Sequence, residues 1–304
     1  MTVSSLSLTA RDAISQAIND HKLPISFANV VDDFYLPIAV KLVQSIDTNS
    51  VSVVGIQGSQ GSGKSTCAEF IRILIREQFE KTAVVMSIDD FYLTRAERLE
   101  MSDAIHPLFK TRGVPGTHDI AMINSVIVGA RAGQGFVVPS FDKAQDDRAD
   151  QHLWQHITEK IDVLILEGWC VGIPPESEGS LQTPINELEE LDDPEAVWRV
   201  FVNDALKTSY SSLFSQLDTL ISLQAPSFDS VFGWRLLQEQ KMIERIEAAG
   251  GDASGTQTPE QIKRFIAHYQ RLTEHALKLM PEKADFLLRL NQDHSYQSLQ
   301  TKDA

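Results

Sequence analysis

Residues 55–66 read GIQGSQGSGKST, and this stretch decides the fold. Within it Gly58, Gly63, Lys64 and Ser65 complete the pattern G-x-x-x-x-G-K-[ST]. The run before it, VSVVGI at 51–56, is short, apolar and β-rich. The run after it, CAEFIRILIREQF, places Phe70, Ile71, Leu74 and Ile75 at helical spacing. Strand, glycine loop and helix are the setting that a polyphosphate cradle requires. The glycines let backbone N–H groups point inward around phosphate oxygens, and the helix N-terminus adds a positive dipole end. Lys64 would bridge the β- and γ-phosphates, and the Ser65 hydroxyl would sit on Mg²⁺. A chance glycine-rich turn is the bland alternative, and the correct flanking elements count against it. The expected nucleotide contacts are Gly58, Ser59, Gln60, Gly61, Ser62, Gly63, Lys64, Ser65 and Thr66.

Strands alternate with helices on both sides of this loop. The run TAVVMSI at 82–88 is almost continuously apolar, as a parallel strand buried on both faces should be. IDVLILEGW at 161–169 is the most apolar strand of the chain, and shorter strands are expected from Phe136, at 218–224 and at 284–291. Helices are expected at 8–20, at 33–46 with an interruption at Pro37, from an Asp119 cap to about Arg131, at 194–217, and near 229–249 and 259–280. GGDASGTQT at 250–258 reads as a flexible connector. The pattern argues for a three-layer α/β/α P-loop sandwich around a mostly parallel sheet. It divides into an N-terminal helical extension (1–48), a P-loop domain (49–295) with an acidic insertion (174–193), and a polar tail (296–304).

Composition narrows the partners. The 304 residues are 42% hydrophobic and 23% charged, ordinary for a soluble globular chain. With 42 acidic against 27 basic residues the formal charge is −15, which disfavours non-specific nucleic-acid binding. Part of the excess lies in ELEELDDPE at 187–195, read as a solvated, mobile surface segment. Cys67 and Cys170 have no metal-ligand spacing and are expected as reduced thiols in or near the core. No apolar run approaches the ~18 residues of a membrane span. The N-terminus has no signal-type apolar region, so a cytoplasmic protein is expected.

In a parallel sheet, ligands gather at the carboxyl ends of the strands. Two strands end there in acid: Asp89 follows Ile88, and Glu167 follows Leu166. Such carboxylates can hold Mg²⁺, directly or through water, or take a proton from an attacking hydroxyl. A turn or capping carboxylate is the alternative, and two acids beside a P-loop weigh against it.

The segments GSQGSGKST, SIDDFYLT, RGVPGTHD, PSFDKA with DRAD, LEGW and FGWRLLQE occur in that order over most of the chain. Together they resemble the D-glycerate 3-kinase family of plants and fungi and its bacterial relatives. That family lies within the wider group of uridine, pantothenate and phosphoribulo-kinases. The resemblance implies that Asp89 is the base or metal partner after the second strand, and that Glu167 is the Walker B-type acid. Two features depart from the family pattern. Asp146-Asp147-Arg148 stands where relatives often have Gly-Asp-Arg, which stiffens that turn, and the acidic insertion is longer.

Further candidates carry paired readings. Arg112 and His118 flank a Gly-Val-Pro-Gly loop and suit an acceptor carboxylate, though Asp119 or a carbonyl could instead tie Arg112 down. Asp90 and Tyr92 could contact acceptor hydroxyls, or Tyr92 could simply pack. Lys143 and Arg148 lie on a segment that could close over the phosphates, or be a solvated loop. Arg235 sits where related kinases carry a nucleotide-side arginine, or pairs with Glu239 one turn on. Trp169 and Trp234 are read as core or pocket wall.

The reading that results is an ATP- and Mg²⁺-dependent small-molecule kinase acting on D-glycerate to give 3-phosphoglycerate. Lys64 and Asp89 would be catalytic, and Ser65, Asp89 and Glu167 would face the metal. Rival readings are a kinase of another hydroxylated metabolite, nucleoside- or pantothenate-like, and a P-loop ATPase or regulatory ATP-binding protein. The chain has no N-K-x-D guanine-reading motif.

Overall fold

Alternation along the most apolar strand fixes the layering. A computed structural model of the chain describes residues 6–47, 50–248 and 256–302. In β7 (Val163–Gly168), Val163 and Ile165 face one apolar layer while Leu164 and Leu166 face the other, and all four are fully buried. The strand lies between β1 (Ser52–Gly58) and β2 (Ala83–Ser87), parallel to both. The six-stranded sheet continues from β1 through β8 (Thr219–Gln224) and β9 (Phe286–Leu290) to β10 (Tyr296–Thr301), and only β10 is antiparallel. Register brings Ile56 of β1 and Ser87 of β2 level with Glu167 of β7. The loops after β1 and β2 therefore open on either side of Glu167. This is the three-layer, mostly parallel sandwich expected.

One layer holds α4 (Lys64–Glu77), which directly follows the glycine loop, and the N-terminal helices. Ser7 caps α1 (Leu8–Asp20) by accepting the Ala10 N–H. Next, α2 (Phe27–Val30), a π-turn at Val31–Tyr35 and α3 (Leu36–Ser45) run on without a break. Pro37 therefore does not interrupt a helix, as its sequence position suggests. It sits in the first turn of α3, and the wide turn before it absorbs the missing N–H and the ring's bulk. The extension shares the core: the Phe27 and Tyr35 rings lie 5.2 and 6.2 Å from that of Phe70, and Cys67 is buried beneath them.

The opposite layer holds α6 (Ile120–Arg131), α8 (Val197–Ala205), α9 (Ser211–Phe214) and much of α11 (Pro259–Lys283), while α10 (Phe228–Ala248) supplies Val231 and Trp234 to the first layer. Asp119 caps α6 through the Met122 N–H, and Thr94 with Glu97 forms a capping box on α5 (Arg95–Ala104). The single helix expected over 194–217 is broken into α8, a π-turn at Leu206–Tyr210 and α9. Two small ribbons complete the fold, β3 (Phe136–Val138) with β6 (Gln155–Ile157), and β4 (Phe141–Asp142) with β5 (Asp147–Arg148). Most of the connector expected at 250–258 lies outside the described residues.

Two expectations are corrected. Residues 296–301 are not a tail: they form β10, whose Tyr296 and Leu299 pack inward while its polar residues face solvent at the sheet edge. The run 187–195 is not merely solvated. On α7 (Glu187–Asp192), Glu189 is fully buried and receives two bonds from Arg271, Nε to Oε1 at 2.7 Å and NH2 to Oε2 at 2.6 Å. Asp193 is equally buried and pairs with Arg199 at 3.0 Å. Glu187, Glu190 and Glu195 are the exposed acids of the run.

Candidate active site

The glycine loop is shaped by backbone that only glycine adopts easily. Gly61 and Gly63 hold φ of 79° and 86°. A Cβ on Gly61 would also lie 2.8 Å from Cβ of Trp234, so the loop rests against α10. Immediately after it, Ser65 Oγ donates to Glu167 Oε1 at 2.7 Å, and Lys64 Nζ lies 3.9 Å from Glu167 Oε2. Glu167 is 5% exposed, and its Oε2 has no hydrogen-bond donor among the described residues. The hydroxyls of Ser59 and Ser62 are likewise buried and unpartnered. Buried polar atoms left this way mark a place shaped for a polar guest. A hydroxyl and a carboxylate are the hard oxygen donors that suit Mg²⁺. Among the described residues no cluster of three or more His, Cys, Asp or Glu side chains could hold a metal. A cation here would therefore share its shell with phosphate oxygens and water.

A cavity of about 680 Å³ opens beside the loop, touching Ser62, Gly63 and Thr66. Trp234 and His294 stack along it with centroids 4.3 Å apart at 28°, and His294 also bonds the Gly61 carbonyl at 3.0 Å. Phe27, Asn29, Asp33 and Phe34 of the N-terminal helices close the far side, with Tyr296 of β10. Trp234 is thus pocket wall, as its sequence context suggests. The contributions of Asp33, Phe34, His294 and Tyr296 had no local motif to announce them.

On the other side of Glu167, β2 ends in a short turn carrying Asp89 and Asp90. Asp89 accepts the Tyr92 hydroxyl at 2.7 Å through Oδ1 and Lys143 Nζ at 3.1 Å through Oδ2. Burial pushes its pKa up, but Lys143, Lys64 and the Tyr92 hydroxyl together outweigh that and hold it below the usual carboxylate value. Asp90 behaves oppositely. Burial, reinforced by the charge of Asp89, raises it to about 6 against the opposing N–H of Phe141. Neighbouring carboxyls with pKa values pushed apart take different roles. Asp89 is the one held ionised.

Lys143 begins the turn of the β4–β5 hairpin, and Arg148 ends its second strand. Lys143 points onto Asp89, whereas Arg148 NH2 bonds the Tyr92 carbonyl at 3.1 Å and Asp119 Oδ2 at 3.5 Å, and its Nε is buried and unpartnered. The turn joining the strands departs from glycine at Asp146, which holds φ of 56°, a conformation that costs a non-glycine residue. Its carboxylate offsets that cost by binding two arginines, Arg112 and, at 3.0 Å, Arg98. Arg112 also lies over the Phe141 ring at 5.3 Å. Asp146, rather than Asp119 or a carbonyl, is what ties Arg112 down. Arg98 escaped sequence reasoning. It is 1% exposed and also bonds the carbonyls of Leu93, Lys110 and Asp146, fastening the hairpin to α5.

The loop after Arg112 is anchored from beneath. Trp169 Nε1 donates to the Gly113 carbonyl at 2.8 Å, and the Tyr269 hydroxyl donates to the Arg112 carbonyl at 2.9 Å. Gly113 is required by this packing, since a Cβ there would lie 2.1 Å from the Tyr269 hydroxyl. His118 stacks on Tyr92 with centroids 4.7 Å apart, and its Nδ1 lies 2.5 Å from the Tyr210 hydroxyl. Burial depresses the His118 pKa to about 4, so the ring is neutral.

Lys64 and Ser65 meet Glu167, and Asp89, Tyr92, Lys143 and His118 form a second set of contacts near enough for the Lys64 charge to act on Asp89, with Asp90, Arg112 and Arg148 bordering it. Arg235, one residue beyond the Trp234 that rests on Gly61, makes the ion pair that its helix spacing offers. It pairs with Glu239 at 2.7 Å and with Gln257 at 2.9 Å.

Known proteins show the same arrangement of sequence and fold. No family model matches the chain. Over 227 residues the chain is 32% identical to the uncharacterized kinase mug58 of Schizosaccharomyces pombe, covering 71% of this chain and 78% of that protein. Over 274 residues it is 26% identical to the chloroplastic D-glycerate 3-kinase of Arabidopsis thaliana, covering 83% of this chain and 56% of that protein. The structure of the D-glycerate 3-kinase from Cryptococcus neoformans var. grubii superimposes with a TM-score of 0.71, covering 92% of this chain and 100% of that one at 23% identity. That likeness is one of fold.

Proposed function

This chain belongs to the glycerate 3-kinase-like family of P-loop kinases, and on that premise we propose that its acceptor is D-glycerate, phosphorylated at the 3-hydroxyl to give 3-phosphoglycerate. An ATP-dependent phosphotransferase needs a phosphate cradle and, within reach of it, a group that receives the acceptor proton. The observation that carries the reading is Asp89, held ionised between Lys143 and the P-loop Lys64.

ATP is placed with its phosphates in the loop Gly58 to Thr66 and its base in the cavity between Trp234, His294 and the N-terminal helices, which is large enough for a nucleoside. Lys64 neutralises the β- and γ-phosphates. Bound between Ser65, Glu167 and phosphate oxygens, Mg²⁺ would supply further charge neutralisation at the transferring group. Asp89 accepts a hydrogen bond from the acceptor hydroxyl, orients it in line, and takes the proton as that oxygen bonds to the γ-phosphorus and the bond from phosphorus to the β,γ-bridging oxygen breaks, leaving ADP. Lys143, Arg148 and Arg112, paired with Asp89, Asp119 and Asp146, and neutral His118 are the donors that an acceptor carboxylate would draw on. Donors of this kind suit a small hydroxy acid better than a neutral nucleoside. Asp90 and Tyr92 line the same wall.

The direct experiment measures ADP release from MgATP with and without D-glycerate, with Lys64→Ala as the blank. Strong stimulation with 3-phosphoglycerate as product supports the proposal. Stimulation by another hydroxylated metabolite, and none by D-glycerate, replaces the acceptor. Acceptor-independent hydrolysis turns the reading to an ATPase.

A further inference from the structure

The wall behind Asp89 contains a buried ring nitrogen without a partner among the described residues. His118 is 4% exposed, and its Nε2 is buried without a partner among the described residues. Its other nitrogen, Nδ1, lies 2.5 Å from the hydroxyl oxygen of Tyr210. That oxygen already accepts the Gly116 N–H at 3.0 Å. Burial raises the Tyr210 pKa well above its usual value, so the phenol keeps its proton.

A phenol has one proton to donate, and a neutral imidazole carries one N–H. Two arrangements fit the short contact. If Nδ1–H donates to Tyr210, the phenolic proton has no acceptor and Nε2 is an orphan acceptor, so two buried groups go unmet. If Tyr210 donates to Nδ1, both of those atoms are satisfied and only Nε2–H is left over. Unmet buried groups are costly, so the second arrangement prevails. The ring that carries this left-over donor lies next to the partner of Asp89. The ring stacks on Tyr92 at 4.7 Å and 27°, and the Tyr92 hydroxyl ends on Asp89.

We propose that Tyr210 is a positioning residue, which locks His118 in the Nε2–H tautomer so that a neutral N–H donor is presented to an oxygen of the acceptor. The oxygen assigned to it is one of the acceptor carboxylate, which rests on the reading of the acceptor as a small hydroxy acid. The donor is uncharged and buried, so it rewards an acceptor carrying that oxygen and is left unmet by one lacking it. His118 then contributes to acceptor choice, and Tyr210 acts only through it.

Two readouts on the full chain test this separately. Ring ¹⁵N–¹H correlation spectra, with the His118 signals assigned by their loss in His118→Gln, report the tautomer without any substrate. The expected result is protonated Nε2 with unprotonated Nδ1 in the wild type, and a mixture of tautomers in Tyr210→Phe. Protonated Nδ1 in the wild type overturns the proposal. In steady-state kinetics, Tyr210→Phe is expected to raise KM for D-glycerate by the inverse of the Nε2–H fraction seen in the spectra, about twofold for an even mixture, whereas His118→Leu loses the hydrogen bond outright, about tenfold. KM for ATP should stay constant. His118→Gln, whose amide N–H can take the place of Nε2–H, should restore much of what His118→Leu loses. Equal KM values for Gln and Leu variants overturn the donor role. Should the wild type turn over another acceptor instead of glycerate, the carboxylate assignment falls, while the spectra still decide the Tyr210 lock.

Discussion

Lys143 Nζ stands 3.1 Å from Asp89 Oδ2, so the β4–β5 hairpin places a cation on the carboxylate at the end of β2. Lys143 is 64% exposed at its side chain, whereas that of Asp89 is 24% exposed. The pair joins a mobile class of side chain to a fixed one. Burial works against ionised Asp89, and Lys143 is the foremost of the groups that overcome it. Removing a cation raises a neighbouring carboxyl pKa. Lys143→Ala should therefore move the acid limb of the kcat/KM profile to higher pH and lower the neutral-pH rate about 10- to 10²-fold. Titration of ADP binding should be nearly unchanged. An acid limb that stays in place would mean that Lys143 does not govern Asp89.

Asp89→Asn should retain nucleotide binding and lose about 10²–10⁴-fold in turnover, the usual worth of a positioned base. Asp90→Asn should cost far less, since Asp90 is held by the Phe141 N–H and lacks the Lys143 and Tyr92 contacts that hold Asp89 ionised. Rapid-quench measurement of the chemical step in both variants distinguishes them. A reversed order would exchange their roles.

The layering and the phosphate side of the site were legible because their signals are local. Val51 to Thr66 carries strand, loop and helix start in one run, and the acids Asp89 and Glu167 follow runs of apolar residues. What escaped depends on partners far along the chain. Glu189 looks solvated beside Glu187 and Glu190 until Arg271, 82 residues on, covers it. Arg98 lies in an ordinary helix, and only the turn at Asp146 explains its burial. The strand Tyr296–Thr301 is polar because it is an edge with one wet face, so its composition matches that of a tail. The cavity beside the loop gathers residues from both ends of the chain, which no short motif can announce.

The burial of Glu189 has a stability consequence. It makes a two-bond contact with Arg271, which also bonds the Ser180 and Thr183 carbonyls, so α7 and the preceding acidic insertion are tied to α11. Removing one partner leaves a buried guanidinium without its main counter-charge. Glu189→Ala should cost about 3–5 kcal/mol in urea unfolding. The exposed neighbour substitution Glu190→Ala should stay within about 0.5 kcal/mol. Equal effects for the two would return the run to a solvated surface segment.

His118 makes a pH prediction whose sign follows from its burial. Its pKa is about 4 in the folded protein, against 6.5 for the free side chain. Above about pH 6.5 the ring is neutral in both states, and its contribution to stability is complete. Between that value and 4 the unfolded chain binds a proton that the folded chain refuses, so stability falls as the pH falls. The slope approaches about 1.4 kcal/mol per pH unit within the window, and the whole loss is of the order of 3 kcal/mol. Carboxylates such as Asp89 and Asp90 titrate nearby, so the comparison is between wild type and His118→Gln, which share them. Urea midpoints from pH 7.5 to 4.5 should fall more steeply in the wild type, and the two curves should approach one another at the acid end. Parallel curves would mean that His118 accepts its proton in the folded state, which in turn would place water or a counter-charge at Nε2.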